Sequence, residues 1–285
     1  IGMRFDDRVT GDLKSYAKNA KVIHLEIDEA EINKNVHADA PVIGNVKDTL
    51  PLLTASVSPN SFPEWVEEFR ACYRIEYDRI IKSQLNPAKE GLTMGEVVNK
   101  VSEACNHDAV IVTDVGQHQM MASRYFKFKQ TRSVVTSGGL GTMGFGLPAA
   151  MGAKLGAPDR EVVLFVGDGG FQMTVQELGT IHQTKIPVKI VLLNNNFLGM
   201  VRQWQELFFD SRYSFTKLIN PDFQTLAKAY SIETVKVTKR EDLDDAIKQM
   251  VNHDGAFLLE VVVEQEGNVF PMVPSGASVS HIRLE

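Results

Sequence analysis

The feature that most constrains this chain is an alternation that sets in after Leu92, where short and almost wholly apolar runs are separated by amphipathic stretches of helical spacing. The runs cover residues 109–113, 133–136, 162–166, 188–193, 232–237 and 257–263, and the helical patterns cover 119–126, 145–155, 175–183, 222–230 and 241–251. A strand that is apolar on both sides has to be covered on both sides. The pattern therefore predicts an α/β fold, a mainly parallel six-stranded sheet with helices on both faces. Ligands of such sheets bind beyond the carboxyl ends of the strands. The loops that follow the runs are the places to look for chemistry.

The residues before Leu92 read differently. A strand-like run at 22–27, a turn or short helix at 28–35 and a helix opening at Gly44-Asn45-Val46 look like the closing part of an α/β domain. So short a stretch buries little core by itself. Residues 58–91 then read as one long helix bridging two domains, with Ser61 as N-cap, Pro63 and Glu64 in the first turn, and Trp65, Phe69 and Ile80 as apolar anchors. Thr93-x-x-Glu96 is a capping box for the next helix, which places Val97, Val98, Val101 and Cys105 on one face. The expected organisation is thus 1–57, 58–91 and 92–285. The opening Ile1-Gly2-Met3-Arg4 has no initiator and reads as a loop already under way, so the expectation is the C-terminal part of a longer protein.

The formal net charge is −6, and no run of Lys or Arg is dense enough for a nucleic-acid stripe, so no nucleic-acid partner is expected. No apolar run approaches the roughly 20 residues of a membrane span, and no signal peptide opens the chain. The expectation is a cytoplasmic protein, or an organelle protein seen without its targeting segment. The only cysteines, Cys72 and Cys105, read as buried free thiols in helices.

Two loops carry the chemistry. Gly167-Asp168-Gly169-Gly170 follows the run ending at Val166, and Asn194-Asn195-Asn196 follows the next run, with 24 residues between Gly169 and Asn194. That interval fits a loop, one helix and a returning strand. A right-handed crossover then brings Asp168 and Asn195 to the same rim of the sheet. Their carboxylate and amide oxygens are the hard donors Mg²⁺ prefers, and the glycines let backbone N–H groups approach a phosphate. Gly-Asp-Gly alone is more often a simple turn; its pairing with the Asn run at strand ends points to a metal–diphosphate site. His118 stands at another junction of loop and helix, where a phosphate contact and a structural role are both open.

The span from Gly167-Asp168-Gly169 to Asn194-Asn195 resembles the signature of thiamin diphosphate enzymes. Val115-Gly-Gln-His-Gln-Met120, Ser137-Gly-Gly-Leu-Gly-Thr-Met-Gly-Phe-Gly146 and Leu198-Gly-Met-Val-Arg-Gln-Trp204 narrow the resemblance to the catalytic large subunits of acetolactate (acetohydroxyacid) synthases. Arg4-Phe-Asp-Asp-Arg-Val-Thr-Gly11 and Met272-Val-Pro-Ser-Gly276 extend it over essentially the whole chain.

The resemblance implies a thiamin diphosphate-binding fold in 92–285, after a linker helix and a remnant of a flavin-binding-like domain in 1–57. It implies Mg²⁺ on Asp168, Asn195 and the carbonyl of Phe197. The cofactor would lie against Val115, Gly116, Gln117, His118, Gly141, Gly167, Gly169, Gly170, Leu198 and Gly199. Met143 would prop it in a bent form, Met200 and Val201 would line its pocket, and Trp204 would stand at the substrate mouth. A non-redox FAD would touch Gly2, Met3, Arg4, Phe5, Asp6, Glu26, Ile27, Asn45 and Val46. The implied reaction moves a two-carbon unit from decarboxylated pyruvate to a second pyruvate or to 2-oxobutanoate, in branched-chain amino acid biosynthesis.

The implied assembly is a homodimer or higher oligomer that can carry a small regulatory subunit. The catalytic residue implied, an activating glutamate, belongs to an N-terminal domain of a partner subunit and not to this chain, which alone is expected to bind cofactor weakly and not to turn over. Pyruvate oxidase or another carboligase on the same scaffold is the enzymatic alternative, and a non-catalytic binding module is the alternative of another class. Three positions depart from the pattern: Gly170 stands where Ser is common, Phe197 where a polar residue is common, and Asn45 where Asp is expected beside the flavin, which counts against FAD.

Overall fold

The computed structural model describes all 285 residues. They form two compact units, residues Ile1–Ile80 with Phe270–Glu285, and residues Ile81–Val269.

The smaller unit contains helix α1 (Asp7–Thr10), strands β1 (Ile23–Glu26) and β2 (Ala40–Ile43), and helices α2 (Val46–Ser56) and α3 (Pro63–Glu76). β1 and β2 pair in parallel, with Glu26 opposite Ile43. Asn45 caps α2 by accepting the Lys47 N–H. The tail returns to this unit: Gly11 bridges Ser278, and Asp12 N–H donates to the Ala277 carbonyl at 2.9 Å.

The long helix is present as α3, a π-helical stretch Tyr77–Ile81 and α4 (Lys82–Leu85). Its start differs from expectation. Phe62, not Ser61, is the N-cap and makes no side-chain cap bond, because Pro63 at the first helical position fixes where the helix begins. Ile80 is buried as expected, but Trp65 and Phe69 are each 60% exposed and pack edge to face on one another at 5.0 Å. Cys72 on the same helix is exposed, not buried.

The larger unit opens with α5 (Met94–Ala104), then β3 (Val110–Thr113), α6 (Gln117–Tyr125), β4 (Val134–Thr136), α7 (Gly146–Gly156) and β5 (Val162–Gly167). It continues through α8 (Asp168–Met173), α9 (Glu177–Thr184), β6 (Lys189–Asn194), α10 (Gly199–Phe208), α11 (Phe223–Ala229), β7 (Glu233–Val237), α12 (Leu243–Asn252) and β8 (Phe257–Val262). All six strands are parallel, in the order β4-β3-β5-β6-β8-β7. Successive side chains of a strand point to opposite faces. Val163, Phe165, Val191 and Leu193 accordingly pack with α5, α6 and α12, whereas Leu164, Val166, Ile190 and Leu192 pack with α7, α8, α9 and α11.

Half of the expected capping box forms. The Glu96 N–H donates to Thr93 Oγ1 at 3.2 Å, but the Glu96 side chain turns to Arg240 Nε at 2.8 Å, since a charged partner outcompetes the backbone. Val97, Val98 and Val101 are fully buried. Cys105 is half-buried, and burial pushes its thiol up to about 12, which makes it inert at neutral pH.

Candidate functional site

The strand order reverses between β3 and β5: from β3 the chain moves outward to β4 and then returns to the other side of β3. Beyond the carboxyl ends of these strands lies an open cleft with about 420 Å³ of empty space. The position is the one that sheet topology favours for a ligand.

Three strand-to-helix junctions build most of the cleft. Val115, Gly116, Gln117 and His118 come from the β3 end and Gly167, Asp168, Gly169 and Gly170 from the β5 end. Asn195, Phe197, Leu198, Gly199, Met200 and Val201 come from the β6 end, and Met143 approaches from the loop before α7. Gly141, expected against the cofactor, and Trp204, expected at the substrate mouth, are not among the lining. Gly141 stands back with a positive φ of 61°, its side-chain direction 3.9 Å from Val115. Trp204 lies one turn along α10, half-buried against Phe208 at 4.8 Å, because Met200 and Val201 already occupy the turn that faces the cleft. Met94 and Leu193 line the cleft without having been expected there.

The register explains why Asp168 and the Asn run meet. Gly167 pairs with Leu193, so the next residues, Asp168 and Asn194, leave neighbouring strands side by side. Asp168 is 1% exposed, and burial pushes its carboxyl up to about 6, against hydrogen bonds from Asn220 and from backbone N–H groups that include Asn196. Asn195 is buried, and its Oδ1 accepts the Phe197 N–H at 3.2 Å. Helices α6 and α10 both begin at the cleft, with Gln117 and Gly199, so their N-terminal N–H groups and dipoles favour an anion there.

Two buried polar atoms of the lining have no partner, Gln117 Oε1 and His118 Nε2. Desolvation takes His118 down to about 4, so its ring is neutral at pH 7. A Cβ on Gly199 would come within 2.2 Å of Gln117 Oε1 and 2.9 Å of Asn195 Nδ2, so only glycine keeps this corner open. Orphaned polar atoms, a glycine-lined hollow, two helix N-termini and a carboxylate–amide oxygen pair together fit a diphosphate with a divalent ion.

The unusual Gly170 has a local cause. A Cβ there would stand 2.4 Å from Asp114 Oδ1, and that buried carboxylate is fixed by N–H groups of Val115 at 2.9 Å, Gly144 at 3.1 Å and Gly146 at 2.7 Å. Asp114, Asn220 and Gln203 are residues that sequence reasoning missed. Gln203 Oε1 accepts Gln117 Nε2 at 2.9 Å and so fixes a lining side chain.

The model of the thiamine pyrophosphate enzyme C-terminal TPP binding domain matches residues 114–261, the stretch that supplies the whole sheet rim just described. The chain belongs to the thiamine pyrophosphate enzyme family. The thiamine pyrophosphate enzyme central domain matches residues 1–53. Among curated thiamine pyrophosphate enzymes the chain is 43% identical over 283 residues to the acetolactate synthase isozyme 2 large subunit of Escherichia coli K12, which covers 99% of this chain and 50% of that protein. It is 42% identical over 283 residues to the acetolactate synthase large subunit of Lactococcus lactis, covering 97% of this chain and 47% of that protein. It is 39% identical over 299 residues to the chloroplastic acetolactate synthase 2 of Nicotiana tabacum, covering 100% and 44%. The chain thus spans about half the length of the curated relatives it matches.

The expected flavin residues lie in the smaller unit. Glu26–Ile27 and Asn45–Val46 sit at the carboxyl ends of the two paired strands, and Gly2 N–H donates to the Leu25 carbonyl at 2.9 Å. The Met3 carbonyl meets His24 Nε2 at 2.8 Å, Phe5 packs on the His24 ring at 4.9 Å, Arg4 pairs with Asp6 at 3.0 Å, and Asp6 caps α1. Glu26 Oε1 is engaged by the N–H groups of Ile27 at 2.8 Å and Asp28 at 3.3 Å. No helix is long and apolar enough to cross a membrane.

Proposed function

We propose that this chain supplies the thiamin diphosphate and Mg²⁺ half of an acetolactate synthase active site, in which a two-carbon unit from pyruvate is joined to a second pyruvate or to 2-oxobutanoate. The observation that carries the reading is the single cleft at the topological switch, lined by Asp168, Asn195, Gly199 and two helix N-termini. The similarity to acetolactate synthase large subunits along nearly the whole chain supports the choice of reaction.

In this reading Asp168, Asn195 and the Phe197 carbonyl hold Mg²⁺, and the diphosphate takes the N–H groups at Gln117 and Gly199. His118 stays neutral and offers Nε2 as a hydrogen-bonding group rather than a charge. Met143, Met200 and Val201 give the apolar wall and keep water from the reacting end. Trp204 stands behind that wall, toward the substrate mouth. Bound thiamin diphosphate supplies the carbon nucleophile and the electron sink for decarboxylation, and the protein binds, orients and desolvates.

The domains are read as a central-domain part at 1–57, a linker helix at 58–91 and the pyrophosphate domain at 92–285, whose last residues, Phe270–Glu285, pack with the smaller unit. FAD would lie at the strand ends of the smaller unit, with Asn45 a poorer flavin neighbour than Asp. The apolar side chains Leu140, Phe215 and Ile219 are 93%, 98% and 96% exposed on loops bordering cleft residues. Such a rim suits a covering partner subunit that brings the activating glutamate, in a cytoplasmic homodimer or larger oligomer able to take a regulatory subunit.

Product analysis with pyruvate on the oligomeric enzyme containing this chain tests the reaction. Acetolactate is expected, whereas acetyl phosphate with peroxide would make it an oxidase. Asp168→Ala is expected to abolish turnover; full activity of that variant in added Mg²⁺ would leave a binding module.

A further inference from the structure

Between Thr216 and Asp222 the chain reverses the usual logic of side chains: Ile219 points outward, 96% exposed, while the adjacent polar Asn220 turns inward. Three oxygens meet its amide nitrogen. Nδ2 lies 2.6 Å from Asp168 Oδ2, 3.0 Å from Asn194 Oδ1 and 3.2 Å from Asn196 Oδ1. On its other side Oδ1 accepts from Gln172 Nε2 at 3.0 Å, and Gln172 Nε2 also donates to the Asp168 carbonyl at 3.1 Å. Exchanging the amide oxygen and nitrogen would point an oxygen at three acceptors, so the network admits one orientation.

Behind Asn194 the network continues into the sheet. Asn194 Nδ2 donates to Oε1 of Glu260, a carboxylate 1% exposed in the middle of β8. Glu260 also takes Gln224 Nε2 at 3.0 Å and lies 3.0 Å from Lys236 Nζ. A buried charge that is fully partnered makes a stiff anchor. One unbroken line of hydrogen bonds therefore joins the floor of the sheet to the carboxylate in the cleft.

We propose that Asn220 is a positioning residue: its amide commits Asp168 Oδ2 and presents the other carboxylate oxygen, preset, to a divalent ion. This rests on the reading of the cleft as a Mg²⁺–diphosphate site. Partners behind a metal ligand fix its orientation, and removing one commonly costs about 10- to 100-fold in metal affinity.

The test is thermal stabilisation of the oligomeric enzyme containing this chain by Mn²⁺ at fixed thiamin diphosphate, with activity left out. Asn220→Ala is expected to raise the Mn²⁺ concentration for half-maximal stabilisation about 10- to 100-fold. A merely structural Asn220 would lower the ion-free melting temperature and leave that concentration within about twofold of wild type, which overturns the proposal. Asp168→Ala separates this from failure of the site itself. If the wild type gives no ion-dependent rise, or Asp168→Ala gives the same rise, the cleft reading falls. If only Asp168→Ala loses the rise, Asn220 has no positioning role. Should Asn220→Ala not fold, Gln172→Ala, which frees the far side of the amide, is expected to raise the concentration about threefold. No change in that variant is equally fatal.

Discussion

In the larger unit Phe165, Leu164 and Val191 are wholly buried, whereas in the smaller unit Leu52, Trp65 and Phe69 are 70%, 60% and 60% exposed. The larger unit covers both sides of its sheet with its own helices. The smaller has two strands, and its helices α2 and α3 bury no residue. Burial of apolar surface is the main force holding a fold together, so the stability of this chain resides in the sheet that carries the cleft. The smaller unit presents apolar surface outward.

Each unit holds one tryptophan, Trp65 and Trp204, so fluorescence can follow the two separately when the other is replaced by Phe. The largest effect should come from Phe165→Ala. It is expected to cost about 3–5 kcal/mol in urea melts followed at Trp204, and a cost below about 1 kcal/mol would break the contrast.

The pH dependence comes next. The folded His118 value of about 4 lies below its ordinary 6.5, so its share of stability is complete above pH 6.5 and is lost as pH falls toward 4, by at most about 3 kcal/mol. Asp168, raised to about 6, acts in the opposite sense: its share is present below its ordinary 3.8 and is lost as pH rises through 6. The difference between wild type and His118→Asn in urea melts from pH 4 to 7 isolates the histidine. Equal slopes would show that His118 is not desolvated.

Gly199→Ala is expected to cost about 1–3 kcal/mol, since the new methyl meets Gln117 Oε1, and to remove stabilisation by thiamin diphosphate. Retained ligand stabilisation would put the cofactor elsewhere. Thr93→Ala should cost about 1 kcal/mol through loss of the cap on α5. The smallest effect is expected at Phe69→Ser, within about 0.5 kcal/mol in melts followed at Trp65. A loss above about 1.5 kcal/mol there would mean that the exposed face of α3 is covered in solution, sharpening the contrast into an interface.

Much of the fold could be read in advance, since buried strands cannot hide their composition. All six runs became strands, and the five expected helices lie within a few residues of α6, α7, α9, α11 and α12, whereas α8, which begins in residues read as a loop, and α10 were not among them. The cleft lining was legible for a related reason: Asp168, Asn195 and Gly199 follow directly from strand ends whose positions the runs fix. Gly141 lies outside the lining of the cleft, and Trp204, expected at the mouth, lies a turn behind it, because direction within a loop or helix turn, not position in the chain, decides which residue faces a hollow. Trp65, Phe69 and Cys72 were misread because nothing local tells whether a helix face will find a cover, and Ser61 because Pro63 starts the helix one residue later.

The sequence by itself determined the layered α/β fold, the rim on which the chemistry gathers and the oxygen donors placed there. These follow from periodicity and from the chemistry of single residue types, both local properties. Only the tertiary structure decided the polar contacts: that Glu96 leaves its own helix for Arg240, that the Asp114 carboxylate crowds position 170, and that Asn220 reaches back 52 residues to Asp168. A polar side chain takes whichever partner folding brings within about 3 Å, and neighbours in the chain do not specify which one that will be.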